Sequence, residues 1–133
     1  MNMWTTNLDA PLYLYVFSSQ HMGCKIGVTK TPDLRRKYVQ SRKTGRVDIE
    51  FLCREGASCF VESTAHAILI DRPHEYEWFI VDAQTAIQAV LTAYELMDRG
   101  LFHTPVFRVP GGGKRSLHPH SARRLHEALE ILR

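Results

Sequence analysis

Leu12-Tyr13-Leu14-Tyr15-Val16-Phe17, followed after a short gap by Cys24-Lys25-Ile26-Gly27-Val28, is the stretch that decides the fold. Both runs are rich in β-branched and aromatic residues, and the first is too apolar for an exposed loop. Ser18 to Gly23 carries the turn residues between them, so the pair reads as an antiparallel hairpin. Such a hairpin brings Tyr15 and Lys25 near each other.

Working outward, Thr31-Pro32-Asp33 reads as a helix start, with Thr31 as N-cap and Pro32 at the first helical position. This helix is expected to run to about Arg42 and to stop before Gly45, with Leu34, Tyr38 and Ser41 as its inner stripe. Val47 to Cys53 alternates Val47, Ile49, Phe51 and Cys53 with polar residues and predicts a half-buried strand. Gly56 to Ile70 reads as a helix with Val61, Ala65, Ile68 and Leu69 facing inward, and with Glu62 and His66 sharing a face. Asp71-Arg72-Pro73 breaks it, Glu77 to Val81 reads as a short strand, and Trp78 and Phe79 are expected to close the core under the hairpin. Asp82 then caps a helix from about Ala83 to Arg99, with Ile87, Val90, Leu91 and Tyr94 on its buried stripe.

Beyond His103, two prolines and Gly111-Gly112-Gly113 suggest a flexible link to a last amphipathic helix, about Pro119 to Leu132. Three roles are open to that helix: docking on the domain, pairing with a second copy as a homo-oligomer, or touching nucleic acid. The expected organisation is one domain over residues 10–103, with the linker and C-terminal helix over 104–133. The fold class is α+β, a small antiparallel sheet flanked by helices with the amphipathic helix appended.

Composition narrows the functional classes. At 133 residues and 44% hydrophobic, the chain can bury one core. No apolar run approaches the length of a membrane span and the first residues lack a signal-peptide pattern, so a cytoplasmic protein with no membrane partner is expected. Cys24, Cys53 and Cys59 have no metal-finger spacing and read as buried free thiols. Gly111 to Ser116 lacks the P-loop pattern, and His118 and His120 have no third metal ligand in register.

The net charge of +3 conceals segregation. Lys25, Lys30, Arg35, Arg36, Lys37, Arg42, Lys43 and Arg46 face only Asp33 in their segment, whereas Val47 to His103 holds three basic and ten acidic residues. A polyanion held by the first segment, next to carboxylates available to a cation, fits this pattern; solvated helix faces are the plainer account.

Taken in order, these residues resemble the GIY-YIG nuclease superfamily, specifically its bacteriophage-encoded DNA-binding branch, from Leu12 to about Ile87. Leu14-Tyr15 is similar to the end of the first motif, and Lys25-Ile26-Gly27 stands where the second has Tyr-Ile-Gly. Arg35 and Glu62 match the family's helix arginine and metal-binding glutamate. Glu62-x-x-x-His66 and Glu77-Trp78-Phe79 are similar to the phage-branch pattern. The resemblance implies a metal-dependent endonuclease acting on DNA, or a non-cleaving DNA-binding module on the same fold. The implied site is Tyr15 on the water, Lys25 beside it, Arg35 on the phosphate, and Glu62 on one Mg²⁺ or Mn²⁺ ion. Lys30, Arg36, Lys37, Arg42, Lys43 and Arg46 are the expected DNA-backbone contacts. Lys25 departs from the second-motif tyrosine, as the phage branch often does: a lysine there can hydrogen-bond a phosphate or, with a lowered pKa, assist proton transfer, but it supplies no phenol. A third class, an interaction protein assembling through the Pro119 to Leu132 helix, is the remaining alternative.

Overall fold

A computed structural model describes residues 11–103 and 117–133; the expected glycine-rich link lies mostly outside them. The hairpin forms as β1 (Tyr13–Ser19) and β2 (Gly23–Thr29), antiparallel, with Tyr15 opposite Gly27 and Phe17 opposite Lys25. β3 (Val47–Cys53) pairs with the other edge of β1. Two short strands, β4 (His74–Glu75) and β5 (Trp78–Phe79), form a second hairpin that extends the sheet to the order β3-β1-β2-β5-β4. All pairings are antiparallel, so the molecule is α+β as its sequence predicts. β4 is unforeseen: two residues carry no alternation, and its turn depends on Tyr76 adopting φ 56°, which is uncommon for a side chain of that size.

The sheet has two unlike faces. Leu14, Val16, Cys24 and Ile26 point to one, where α2 (Cys59–Ile68) and α3 (Ala83–Asp98) cover them with Val61, Ala65, Ala86, Ala89, Val90 and Ala93. The stripe of α3 is built mainly from alanines, which let it lie close against its neighbours, while Leu91 is left exposed, contrary to the expected pattern. Both caps are side-chain oxygens: Ser58 accepts from Val61 N–H and Asp82 from Thr85 N–H at 2.7 Å. The other face carries Tyr15, Phe17, Met22, Val47 and Trp78, with Val39 and Ile49 against them.

β3 serves both faces because of a register shift opposite Val16 and Phe17. Phe17 meets Ile49 but Val16 meets Phe51, so two β3 residues expected on one face are divided between the two cores. A bulge inserts one residue and inverts the alternation beyond it, which a simple period of two does not anticipate.

The helix on the second face, α1 (Pro32–Val39), is shorter than expected and turned over. It stops where Gln40 becomes extended and accepts a hydrogen bond from Val47 N–H at 2.9 Å. Ser41 and Thr44 then bond the local backbone, closing a loop on Gly45 (φ 67°), an alternative to helix that short hydroxyl side chains favour. Leu34 is 64% and Tyr38 81% exposed; Pro32, Arg35, Arg36 and Val39 face the sheet instead.

The C-terminal helix, α4 (Pro119–Leu132), docks on the domain: Leu125 and Ala128 are buried with Ala67, Leu96 and Phe102. Of the three expected cysteines, only Cys24 is buried, and Cys59 is exposed. Among the described residues no helix is long and apolar enough to cross a membrane. Replacing Leu125 with Ala should lower stability by about 2–4 kcal/mol in urea unfolding, as for other buried leucines; an unchanged midpoint would mean that α4 is not docked in solution.

Candidate active site around Tyr15

The site starts from a contact between β1 and β2. Tyr15 stands opposite Gly27, and its ring lies so close over this residue that a Cβ there would meet the phenolic oxygen at 2.3 Å and the ring at 2.4 Å. No side chain fits in that space. The phenol is also stacked on Phe17, with ring centroids 3.8 Å apart and planes 18° from parallel. Tyr15 is 2% exposed, so its ring is held on three sides: by the strand, by Phe17 and by the missing side chain of Gly27.

Arg35 reaches down from α1 to within hydrogen-bonding range of the Tyr15 side chain. A guanidinium only donates, so the phenolic oxygen accepts, and its own O–H remains available to a further acceptor. Burial raises the phenol above its ordinary value; the Arg35 hydrogen bond and charge work in the opposite direction, and the charges of Glu62 and Glu77 add to the rise. Tyr15 is therefore a neutral hydrogen-bonding group at physiological pH.

Glu62 enters from the first turn of α2, whose position relative to β2 is set by His66 one turn later. β5 pairs with β2 only through Cys24 and Lys25, and the carbonyl of Ile26, the next residue, is met by His66 Nε2 at 2.8 Å. A ring nitrogen bonding a carbonyl must carry the proton, which fixes the tautomer. Glu62 and His66 are thus not an exposed ion pair: His66 is 3% exposed and anchors the helix that carries Glu62.

Lys25 occupies a strand position between Phe17 and Trp78, its register partners on either side. Only 7% of its side chain is exposed, and its ammonium donates to Glu77 Oε2 at 2.6 Å. A cation flanked by two aromatic residues and taken from water needs such a partner. Glu77 is 34% exposed and sits in the turn between β4 and β5, where its charge reaches Tyr15. It was not among the residues expected from sequence to form the site; the signal was its place beside Trp78, which pairs with Lys25.

The expected backbone contacts separate into groups. Lys30, Lys37 and Arg42 are exposed. Lys43 pairs with Glu75 and lies 5.7 Å from the Tyr76 ring centre, and Arg46 pairs with Asp48 at 3.2 Å. Arg36 is turned inward and donates to the Val47 carbonyl at 3.2 Å, which ties α1 to β3. No group of three or more metal-binding side chains occurs among the described residues. A cation at Glu62 would therefore complete its shell with water and ligand oxygens, an arrangement that Mg²⁺ accepts readily.

Tyr15 on the second face of the sheet, Arg35 reaching it from α1, and the charges of Glu62 and Glu77 acting on the phenol make a cluster of cationic and acidic groups around one tyrosine. The chain belongs to the T5orf172 domain family, whose model matches residues 12–93. This is a phage-associated domain in an endonuclease context, suggestive of a nuclease or DNA-binding module. No curated protein and no solved structure matches the chain.

The Gly27 contact makes a direct prediction. Gly27→Ala should cost about 1–3 kcal/mol of stability by overpacking, and that cost should shrink in a Tyr15→Ala background, because the ring is what the methyl group strikes. Additive costs in the double variant would show that the two residues do not meet.

Proposed function

We propose that this protein is a metal-dependent DNA endonuclease of GIY-YIG type, with Tyr15, Arg35 and Glu62 as its working residues and the Lys25–Glu77 pair beside them. The observation that carries the reading is the Tyr15 phenol, with the Arg35 guanidinium in hydrogen-bonding range and the Glu62 charge within electrostatic reach, on the face of the sheet that the short cationic helix α1 crosses.

Phosphodiester hydrolysis needs a positioned water, charge neutralisation on the phosphate and stabilisation of the departing oxygen. The Arg35 guanidinium, already in the site, offers further N–H donors to a non-bridging phosphate oxygen. The neutral Tyr15 phenol orients the attacking water through its free O–H and oxygen lone pair. Glu62 would hold a single Mg²⁺ or Mn²⁺ ion, which when bound supplies Lewis-acid stabilisation of phosphate and leaving-group charge. Exposed Lys30, Lys37 and Arg42 extend the positive surface along the backbone of the nucleic acid.

Lys25 favours the second reading, a module that binds DNA without cutting it. Where the second motif of the wider GIY-YIG superfamily has a phenol, this chain has an ammonium that is buried and committed to Glu77, so neither a phenol nor an exposed cation is presented there.

Supercoiled plasmid and branched DNA, incubated with Mg²⁺ or Mn²⁺ and with EDTA, separate the two. The nuclease predicts metal-dependent nicking that falls at least about 100-fold in both Tyr15→Phe and Glu62→Ala, in line with the loss of a transition-state group. Salt-sensitive binding without nicking, unchanged in Glu62→Ala, would replace it with the binding module.

A further inference from the structure

The outer face of α1 is the part of the molecule that the cleavage site does not use. Leu34 and Tyr38 lie one turn apart on it, 64% and 81% exposed, and none of the helix's residues is fully buried. With Thr31 and Arg35 they line a shallow concavity of about 220 Å³. In an ordinary amphipathic helix these two residues would be the anchors and the arginines would face water. Here the arginines are directed at the sheet, Arg35 to Tyr15 and Arg36 to Val47, and the large apolar side chains at solvent.

The surroundings of this face say what covers it. Lys30 before the helix, Lys37 on it and Arg42 after it are all exposed, against Asp33 as the one acidic residue of the segment. An apolar protein partner has no reason to approach through a ring of cations, whereas a nucleic acid strand offers phosphates to the cations and a base to the tyrosine. A paired base inside a duplex has no exposed face, so an aromatic ring standing out from a cationic surface is suited to unstacked bases. Arg35 lines both the concavity and the Tyr15 site, so a base resting on Tyr38 places its own strand at the arginine.

We propose that the Leu34–Tyr38 face of α1 is a stacking platform for an unpaired base, and that the protein acts on single-stranded or branched nucleic acid in preference to intact duplex. This rests on the reading of the neighbouring site as one for nucleic acid, but not on cleavage.

The test is fluorescence anisotropy in EDTA with three labelled DNAs: an oligothymidine strand, a fork with unpaired arms, and a blunt duplex. The wild-type protein should bind the strand and the fork more tightly than the duplex. Tyr38→Ala should weaken binding to the strand and fork by about 5- to 150-fold, the usual loss of one stacked base, while leaving duplex affinity and the salt slope unchanged, since no cation is removed. Tyr38→Phe should restore binding. Because Tyr38 is so exposed, its replacement leaves folding intact, and the circular dichroism and melting of the variant should match wild type. Equal loss on all three DNAs, no loss on any, or a wild-type dimer that Tyr38→Ala dissolves would each overturn the proposal. Intact Tyr38-dependent strand binding with no nicking would leave it standing and remove the nuclease reading; no salt-sensitive DNA binding at all would remove both.

Discussion

The arrangement depends on the contact of one aromatic ring with one missing side chain. The hairpin register puts Tyr15 across from Gly27, and the ring fills the space where any other residue would place a Cβ. A slip of β1 by one residue would turn Tyr15 to the opposite face of the sheet, away from Gly27. The register is held because that opposite face is fully committed: Leu14, Val16, Cys24 and Ile26 form the larger core with α2 and α3. The face under α2 and α3 therefore fixes the strands, and the fixed strands place the phenol on the opposite face, beneath α1.

The remaining residues of the proposed site come from separate elements, and each element is located by a side-chain bond of its own. Arg36 fastens α1 to the Val47 carbonyl, which leaves Arg35, its neighbour, over Tyr15. His66 bonds Ile26 and so fixes α2, which carries Glu62 one turn away. Lys25 holds Glu77, and with it the small hairpin that completes the sheet edge. A buried lysine–glutamate pair contributes little net stability compared with an apolar pair, but it constrains two side chains to one geometry.

Much of this was legible in the sequence, and the exceptions have physical causes. β1, β2 and β3 follow from their composition, the caps Ser58 and Asp82 from short oxygen side chains ahead of apolar runs, and α4 from its leucine spacing. Motif order put Tyr15, Arg35 and Glu62 together on one list, although only tertiary structure brings the charges of Arg35 and Glu62 to bear on the Tyr15 phenol. The divided faces of β3 were not legible, because a bulge leaves no composition signature. Nor was the orientation of α1, where Leu34 and Tyr38 have the spacing of an inner stripe. Local pattern and global fold conflict there, and such conflicts concentrate where a surface is used for something other than stability. Glu77 was hidden for a different reason: its partner lies fifty-two residues away, and only the sheet brings the two together.

Chemical-shift mapping tests the central claim, that the nucleic acid is received at the Tyr15 and Arg35 side of the sheet. An ¹⁵N-labelled sample titrated with a short phosphorothioate oligonucleotide in EDTA should show its largest amide and side-chain shifts at Gly27, Arg35 and the residues around them, with the Arg35 guanidinium signal prominent. Shifts confined to α4 and the outer side of α3, with Gly27 and Arg35 unmoved, would contradict it.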